Sequence, residues 1–213
     1  MKTTRLVLII TAVMALSAGA VYADRLILTP TGTTLGTADI KAEYATSSEG
    51  DNPKVFWLNI GISRFEVEGA RFQDFGPEDV DVVSAQVSVI PETTFTPAVS
   101  IGMRDLADEA DGGGVLYGGR AIYVAASKSI PITGGVPVLF QDMKVHGGVG
   151  TESLSGLFFG VEGRLPMGIK LAAEYDTEDV NWALSYGIAP AVSLKLSSLK
   201  QDIYYGAALS TAF

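Results

Sequence analysis

The sequence contains no cysteine and a single histidine, His146, among its 213 residues. The absence of cysteine excludes disulfide scaffolds, thiolate metal sites, cysteine nucleophiles and lipid attachment to a cysteine. Bases are scarce too, with 15 lysines and arginines against 24 acids. Because nucleic acids attract basic surfaces, we expect no nucleic-acid partner. Hydrophobic residues still make up 47% of the chain, which excludes a disordered acidic protein.

The first 23 residues have the pattern of a secretory signal peptide. Lys2 and Arg5 supply the positive start, residues 6–20 are apolar, and Val21-Tyr22-Ala23 fits a cleavage site. The apolar run is shorter than the ~20 residues that a membrane-spanning helix needs. We therefore expect residues 1–23 to direct the chain through the inner membrane and to be removed.

Apolar and polar residues alternate with a period of two through most of the remaining chain, which is typical of half-buried strands. Many of the alternating stretches have the length of a tilted transmembrane β-strand. The pattern predicts about twelve strands, over residues 37–46, 54–63, 64–72, 80–90, 95–104, 116–128, 142–150, 154–165, 168–176, 180–188, 191–199 and 203–213.

The connections between these strands alternate in character. The odd-numbered connections are polar and acidic, whereas most of the even-numbered ones contain a proline: Pro91, Pro131, Pro166 and Pro190. Outer-membrane barrels have this asymmetry, with short periplasmic turns and longer outside loops. The sequence therefore predicts an all-β fold, a single antiparallel transmembrane β-barrel over residues 37–213, in the bacterial outer membrane. A secreted soluble β-sandwich also alternates, but it has no reason to sort its turns in this way.

Aromatic residues on the apolar face favour the same interpretation. They cluster toward the loop end (Tyr44, Phe56, Tyr175, Trp182, Tyr205) and toward the turn end (Phe65, Phe95, Tyr186, Phe213), as the interface girdles of a membrane barrel do. In the last predicted strand, Tyr205, Leu209 and Phe213 share one face. A terminal aromatic residue after such an alternation resembles the assembly signal of outer-membrane proteins. We therefore expect outer-membrane lipid and the barrel-assembly machinery as partners.

Four segments carry a family resemblance: residues 26–31 (LILTPT), 119–129 (GRAIYVAASKS), 165–176 (LPMGIKLAAEYD) and 184–196 (LSYGIAPAVSLKL). Together they resemble the YjbH-like outer-membrane barrels, a family associated with exopolysaccharide production and export. The resemblance implies an envelope protein associated with exopolysaccharide secretion, with polysaccharide as a further partner. The residues alone leave two alternatives open: a small, porin-like diffusion pore, and a closed structural or adhesion barrel.

Residues with catalytic chemistry are few. Alternation places His146 on the lumen face, where we expect it to be hydrogen-bonded rather than part of a hydrolase site. The glycine-rich stretches lack the lysine–serine pair and the following helix of a phosphate-binding loop. We therefore expect no catalytic residue, no cofactor and no enzymatic activity.

Charged residues of both signs lie on the predicted lumen face. They are Lys41, Glu43, Arg64, Glu66, Arg104, Lys144, His146, Glu162, Arg164, Lys170, Glu174 and Lys195. Because isolated buried charges are costly, these side chains either pair across strands or contact water. The lumen face of the later strands is otherwise rich in small residues. The space that they leave suits either a water-filled passage or a plug formed by residues 24–36.

The predicted loop end is strongly acidic. Carboxylates suit hard cations such as calcium and magnesium, so a weak surface site is expected at Asp105, Asp108, Glu109 and Asp111. No strict calcium-loop spacing is present, and no firm metal site is predicted. Solvated loops that carry no ion are the alternative.

Overall fold

A computed structural model describes residues 25–50, 52–110, 115–116, 118–132 and 139–211. These residues form a closed barrel of twelve antiparallel strands, which confirms the predicted all-β fold. The strands are β1 (Ile40–Ser47), β2 (Lys54–Ile62), β3 (Phe65–Gln73), β4 (Val80–Ile90), β5 (Ala98–Arg104), β6 (Ala121–Ile130), β7 (Asp142–Gly150), β8 (Gly156–Leu165), β9 (Ile169–Tyr175), β10 (Val180–Ala189), β11 (Val192–Leu199) and β12 (Asp202–Thr211). The predicted signal peptide, Asp111 and Phe213 lie outside the described residues.

Each strand pairs with its neighbours in sequence, and β12 closes the barrel on β1. The closing register runs from Ile40 opposite Thr211 to Ser47 opposite Tyr204. A closed sheet leaves no free edge, so the ladder hydrogen bonds are satisfied between strands. Short 3₁₀ turns cover Glu152–Leu154 and Pro166–Gly168. No helix among the described residues is both long and apolar enough to cross a membrane.

The outer face of the barrel is apolar and exposed. Leu58, Ile101 and Leu184 are examples, with 36%, 44% and 37% of their surface accessible. Aromatic residues meet across strands on this face: Tyr44 lies opposite Phe56, and the rings of Phe159 and Tyr175 are 5.4 Å apart. An exposed apolar surface of this extent is consistent with a membrane barrel.

The lumen face departs from the prediction at its loop end. The predicted lumen face carries charged residues and small ones, but bulky side chains fill this end of it. Trp57, Phe72, Phe158 and Tyr204 are each at most 1% exposed. They face inward because each occupies the alternate position to an exposed outward residue. This half of the barrel therefore contains an apolar core rather than open space.

Some strand bounds change in the structure: β1 begins at Ile40 rather than at residue 37, and β5 begins at Ala98 rather than at residue 95. Strand β6 covers Ala121–Ile130 rather than 116–128, because its two faces are nearly equally apolar and alternation alone sets no register there. Arg64 does not lie on the lumen face of a strand as predicted. It lies in the two-residue turn after Ile62, with Ser63 at φ 60°, and is exposed.

Candidate functional site

Residues 25–36 enter the barrel lumen, and we call them the lumen segment. Arg25 through Gly32 and Leu35 are buried, and the regular structure here is one isolated β-bridge, between Arg25 and Pro30. The segment begins with a tight loop, in which the Leu26 N–H donates to the Thr29 carbonyl at 2.9 Å. Buried irregular backbone must find other hydrogen-bond partners, and the barrel wall supplies them.

Glu174 on β9 binds the first part of the lumen segment. Its carboxylate accepts hydrogen bonds from the backbone N–H groups of Ile27 at 2.9 Å, Leu28 at 2.7 Å and Thr29 at 3.2 Å. The Thr29 hydroxyl donates to the same carboxylate at 2.8 Å, and Asn181 on β10 donates at 3.2 Å. One buried acid therefore satisfies three consecutive backbone donors, which have no strand to pair with.

Arg25 is the charged anchor of the lumen segment. Its guanidinium lies 3.2 Å from Glu43 and forms a second ion pair with Glu68. The group also lies over the Trp57 ring, 4.1 Å from its centroid, and its Nε donates to the Ile27 carbonyl at 3.1 Å. A buried cation needs partners on this scale to offset its lost hydration. Strands β1, β2 and β3 supply them.

The second half of the lumen segment is fastened to strands β3, β5 and β6. The Ser100 hydroxyl donates to the Thr31 carbonyl at 2.7 Å, the Gly32 N–H donates to the Ser127 hydroxyl at 2.7 Å, and the Leu35 N–H donates to Glu66 at 2.7 Å. Gly32 lies against the wall so closely that a Cβ there would be 2.5 Å from the Ala98 oxygen and the Ser127 nitrogen. Only glycine fits this approach.

Apolar packing and one further hydrogen bond hold the middle of the segment. Ile27 and Leu28 join Trp57, Phe72 and Tyr204 in one buried cluster. The Arg104 guanidinium donates to the Leu28 carbonyl at 2.7 Å. The lumen segment is thus tied to the wall through both its backbone and its side chains.

Ser127, His146 and Glu162 form a buried chain of polar groups. The Ser127 Oγ lies 2.8 Å from His146 Nδ1, and His146 Nε2 lies 3.6 Å from Glu162, which also pairs with Lys170. A hydrolase triad places serine on Nε2 and the acid on Nδ1, the reverse of this arrangement. The serine hydroxyl also accepts the Gly32 N–H, so it faces the lumen segment rather than an open cleft.

Other charged residues of the predicted lumen face lie beside groups of opposite charge or beside hydrogen-bond donors. Lys195 lies 2.6 Å from Glu43, and Glu66 accepts a hydrogen bond from Asn59 at 3.3 Å.

Charged residues at the turn end are paired as well. Lys144 lies 3.5 Å from Glu92, in the turn after β4. The backbone N–H and hydroxyl of Ser129 donate to Glu92. Partial burial acts to raise the pKa of Glu92, but these bonds and two nearby lysines hold it below its ordinary value. Arg164 lies at the turn-end rim, 3.6 Å from Asp142.

Cavities remain on both sides of the lumen segment. One of about 200 Å³ lies toward the turn end, between Leu26, Lys41, Lys170 and Lys195. Another of about 400 Å³ lies at the loop end, beside Phe75, Leu116 and Tyr204. The two cavities share no described lining residue.

The predicted cation site is only partly described. Asp105 is fully buried, and its carboxylate accepts the N–H groups of Glu109 and Ala110 at 3.0 and 2.9 Å. Asp108 accepts the Arg120 N–H at 3.1 Å. The carboxylates of Asp105 and Asp108 are therefore engaged in hydrogen bonds with backbone N–H groups of the same β5–β6 connection. Within the described ranges, no three acidic or histidine side chains form a group suited to a metal ion.

Elsewhere at the loop end, acids pair with bases. Asp79 accepts hydrogen bonds from Gln73 at 3.0 Å and from Arg71 at 3.1 Å. These two donors hold the pKa of Asp79 below its ordinary value. The loop-end rim therefore contains exposed ion pairs in addition to its excess of acidic side chains.

No protein-family model and no curated protein matches the chain. The resemblance to the YjbH-like barrels stays a prediction from the four segments. The structure shows the architecture, which is a closed twelve-stranded antiparallel barrel.

Sequence reasoning missed Arg25 and Ser127, which form hydrogen bonds or ion pairs that hold the lumen segment. Arg25 belongs to no alternating strand, so periodicity gives it no partner. One signal was present: an arginine at the start of an otherwise apolar stretch, Arg25 to Leu28, in a chain whose predicted lumen carries acids.

Proposed function

We propose that this protein is an outer-membrane β-barrel of the bacterial envelope whose lumen is closed by residues 25–36. The membrane assignment rests on the closed ladder and the exposed apolar outer face. A barrel with no free edge and an apolar exterior suits lipid, since its strands pair their backbone groups with one another. The acidic loops then face outward and the short turns face the periplasm.

The main observation in favour of a closed lumen is that the Glu174 carboxylate accepts hydrogen bonds from three backbone N–H groups of the lumen segment. Each bond to a buried carboxylate contributes about 1.5–3 kcal/mol. Together with the Arg25 ion pairs, they favour a seated segment over a mobile one. A resident plug argues for a structural or binding barrel rather than for free diffusion.

Membrane insertion is tested by folding residues 24–213 with lipid vesicles. We expect the protein to float with the vesicles in a density gradient and to give a heat-modifiable band on electrophoresis. A folded protein that stays in the aqueous fraction without detergent contradicts the membrane assignment.

A small diffusion pore is the second candidate, and the cavities on both sides of the lumen segment favour it. Planar-bilayer conductance distinguishes the two functions. We expect the wild type to conduct little and Gly32→Ala to conduct more, because a Cβ at Gly32 collides with the wall. Gly69→Ala is the matched control, since nothing lies within 4 Å of a Cβ there. Large steady conductance by the wild type favours the pore.

The association with exopolysaccharide secretion comes from the family resemblance alone. Gene deletion tests it: loss of extracellular polysaccharide, restored by the wild-type chain, supports the association. Unchanged polysaccharide in the deletion strain contradicts it and leaves the plugged barrel intact as a proposal.

A further inference from the structure

The cavity at the loop end has an aromatic lining. Phe75 and Tyr204 contribute to it, and their rings are stacked, with centroids 6.5 Å apart and planes inclined by 7°. Phe75 also packs edge-on against the buried Phe72, at a centroid distance of 5.6 Å. Leu116 and Leu199 add buried aliphatic surface to the lining. These ring faces and aliphatic groups suit the apolar part of a ligand.

Two charged residues of this lining are compensated by partners outside it. Asp74 lies 2.6 Å from Lys54, and Lys200 lies 3.3 Å from Glu178. Asp74 and Lys200 both line the cavity. Because each has a partner of opposite charge, neither contributes a net charge to the cavity.

Two further acids of the lining, Glu49 and Asp202, are not compensated in this way. Across the described ranges, neither carboxylate forms an ion pair or accepts a hydrogen bond. The described part of the lining therefore has an excess of two negative charges. Carboxylates without a counter-charge attract a cation.

A buried hydroxyl group lies near these two carboxylates. Tyr204 is 1% exposed, and its hydroxyl has no hydrogen-bond partner in the part of the chain that the structure describes. The charges of Asp202 and Glu49 both act on this hydroxyl, so both carboxylates are close to it. Buried polar groups are nearly always hydrogen-bonded, and a ligand in the cavity can supply the partner that Tyr204 lacks.

The chemistry of the lining suits an organic cation. The acids of the described ranges form no group of three that could hold a metal ion. An ammonium ion, in contrast, donates hydrogen bonds to carboxylates and to a tyrosine oxygen, and aromatic faces attract cations. The cavity volume of about 400 Å³ lies within the range of small-molecule sites, roughly 300–1,000 Å³.

We propose that this cavity binds a small organic ammonium ion, a protonated primary or secondary amine that carries an apolar group. The N–H groups of the ligand donate to Glu49, Asp202 and the Tyr204 oxygen, and its apolar group packs against Phe75. The described lining contains no residue of the lumen segment. Failure of this proposal therefore leaves the closed lumen and the membrane assignment intact.

Calorimetric titration of residues 24–213 at pH 7 tests the site, in a polyoxyethylene detergent that carries no ammonium group. Benzylammonium is the probe, and benzyl alcohol is its uncharged control of similar shape. The heat of titration into empty micelles is subtracted. We expect saturable binding of benzylammonium and about tenfold weaker binding of benzyl alcohol. If the folded wild type does not bind benzylammonium, or binds benzyl alcohol equally well, the proposal is wrong.

The acids are tested by a double substitution, Glu49→Gln with Asp202→Asn. It should weaken the binding of benzylammonium about tenfold, because it removes both uncompensated charges. Asp142→Asn is the matched control, since it removes an exposed acid at the turn end, where Asp142 lies 3.6 Å from Arg164. The control should bind as the wild type does. Undiminished binding by the double variant, with a wild-type circular dichroism spectrum, overturns the proposal.

The hydroxyl is tested by Tyr204→Phe, which keeps the ring and removes only the oxygen. This variant should bind benzylammonium about fivefold more weakly than the wild type does. Its affinity for benzyltrimethylammonium should not change, because that ion has the same charge but no N–H to donate. An equal loss of affinity for both ions contradicts the proposed position of the ammonium group.

Discussion

Replacing Glu174 with glutamine tests how the lumen segment is held. The substitution keeps the shape of the side chain but turns one of its two acceptor oxygens into an NH₂ group, which cannot accept a hydrogen bond. One carboxylate oxygen accepts from Leu28 and Asn181, and the other from Ile27 and Thr29. Either orientation of the amide therefore leaves buried donors facing an NH₂ group.

The magnitude follows from the number of bonds lost. The less damaging orientation of Glu174→Gln loses two bonds, those from Leu28 and Asn181. Asn181 also donates to Asp176 at 2.9 Å, so the cost falls mainly on the Leu28 N–H. With about 1–3 kcal/mol for each unsatisfied buried group and weaker bonds at the remaining oxygen, we expect a loss of about 3 kcal/mol.

Tryptophan fluorescence during urea unfolding in lipid vesicles measures this change. The chain has two tryptophans: Trp57, which lies beneath Arg25 in the lumen, and Trp182, which is exposed on the outer face. A Trp182→Phe background leaves Trp57 as the only reporter. The emission maximum of Trp57 should shift to longer wavelength at a lower urea concentration in Glu174→Gln than in the parent protein.

Glu178→Gln is the matched control, since it removes the same charge from an exposed acid whose described ion pair is with Lys200. We expect it to change the free energy of unfolding by less than about 1 kcal/mol. If Glu174→Gln is as stable as this control, the carboxylate does not hold the lumen segment, and the reasoning is refuted.

Three further predictions concern the wall, a turn and the C-terminus. Leu171→Arg should lower the free energy of unfolding in lipid by about 2–4 kcal/mol, and the control Val180→Arg, near the strand end, by about 0–1 kcal/mol. Equal losses for the two variants, measured by unfolding in lipid vesicles, would show that the outer face is not in lipid. Glu92→Gln should cost about 1–2 kcal/mol at pH 7. Because the folded protein lowers the pKa of Glu92 below 4.5, the stability difference between wild type and variant should be complete above pH 4.5 and should vanish as the pH falls further below it. A stability difference that does not change with pH contradicts the role of the Glu92 carboxylate. Deleting Phe213 should lower the outer-membrane level more than Thr211→Ala, measured by immunoblotting of membrane fractions.

The strands were predictable because alternation is a local property. Strand β4 covers Val80–Ile90 and β7 covers Asp142–Gly150, as the pattern indicated. In both, a run of exposed apolar residues alternates with polar or small ones, so one face is marked. Strand β6 lacks that contrast: Ile122, Val124 and Ala126 face outward, whereas Tyr123 and Ala125 are equally apolar and buried.

The lumen contacts were predictable only in part. Alternation placed Glu43 and Glu174 inside, since inward positions follow from the outward ones. It did not reveal their partners, which depend on residues 25–36 folding back across the barrel. Segments without periodicity are held by tertiary contacts alone, and Glu174 meets Ile27 across 147 positions of sequence.

Amide hydrogen exchange of the barrel in lipid nanodiscs tests the central claim, that residues 25–36 occupy the lumen. The N–H groups of Ile27, Leu28 and Thr29 all donate to Glu174. We predict that they exchange at least about a hundredfold more slowly than free amides, as buried bonded groups do. Exchange at the rate of an unfolded peptide would contradict a seated lumen segment.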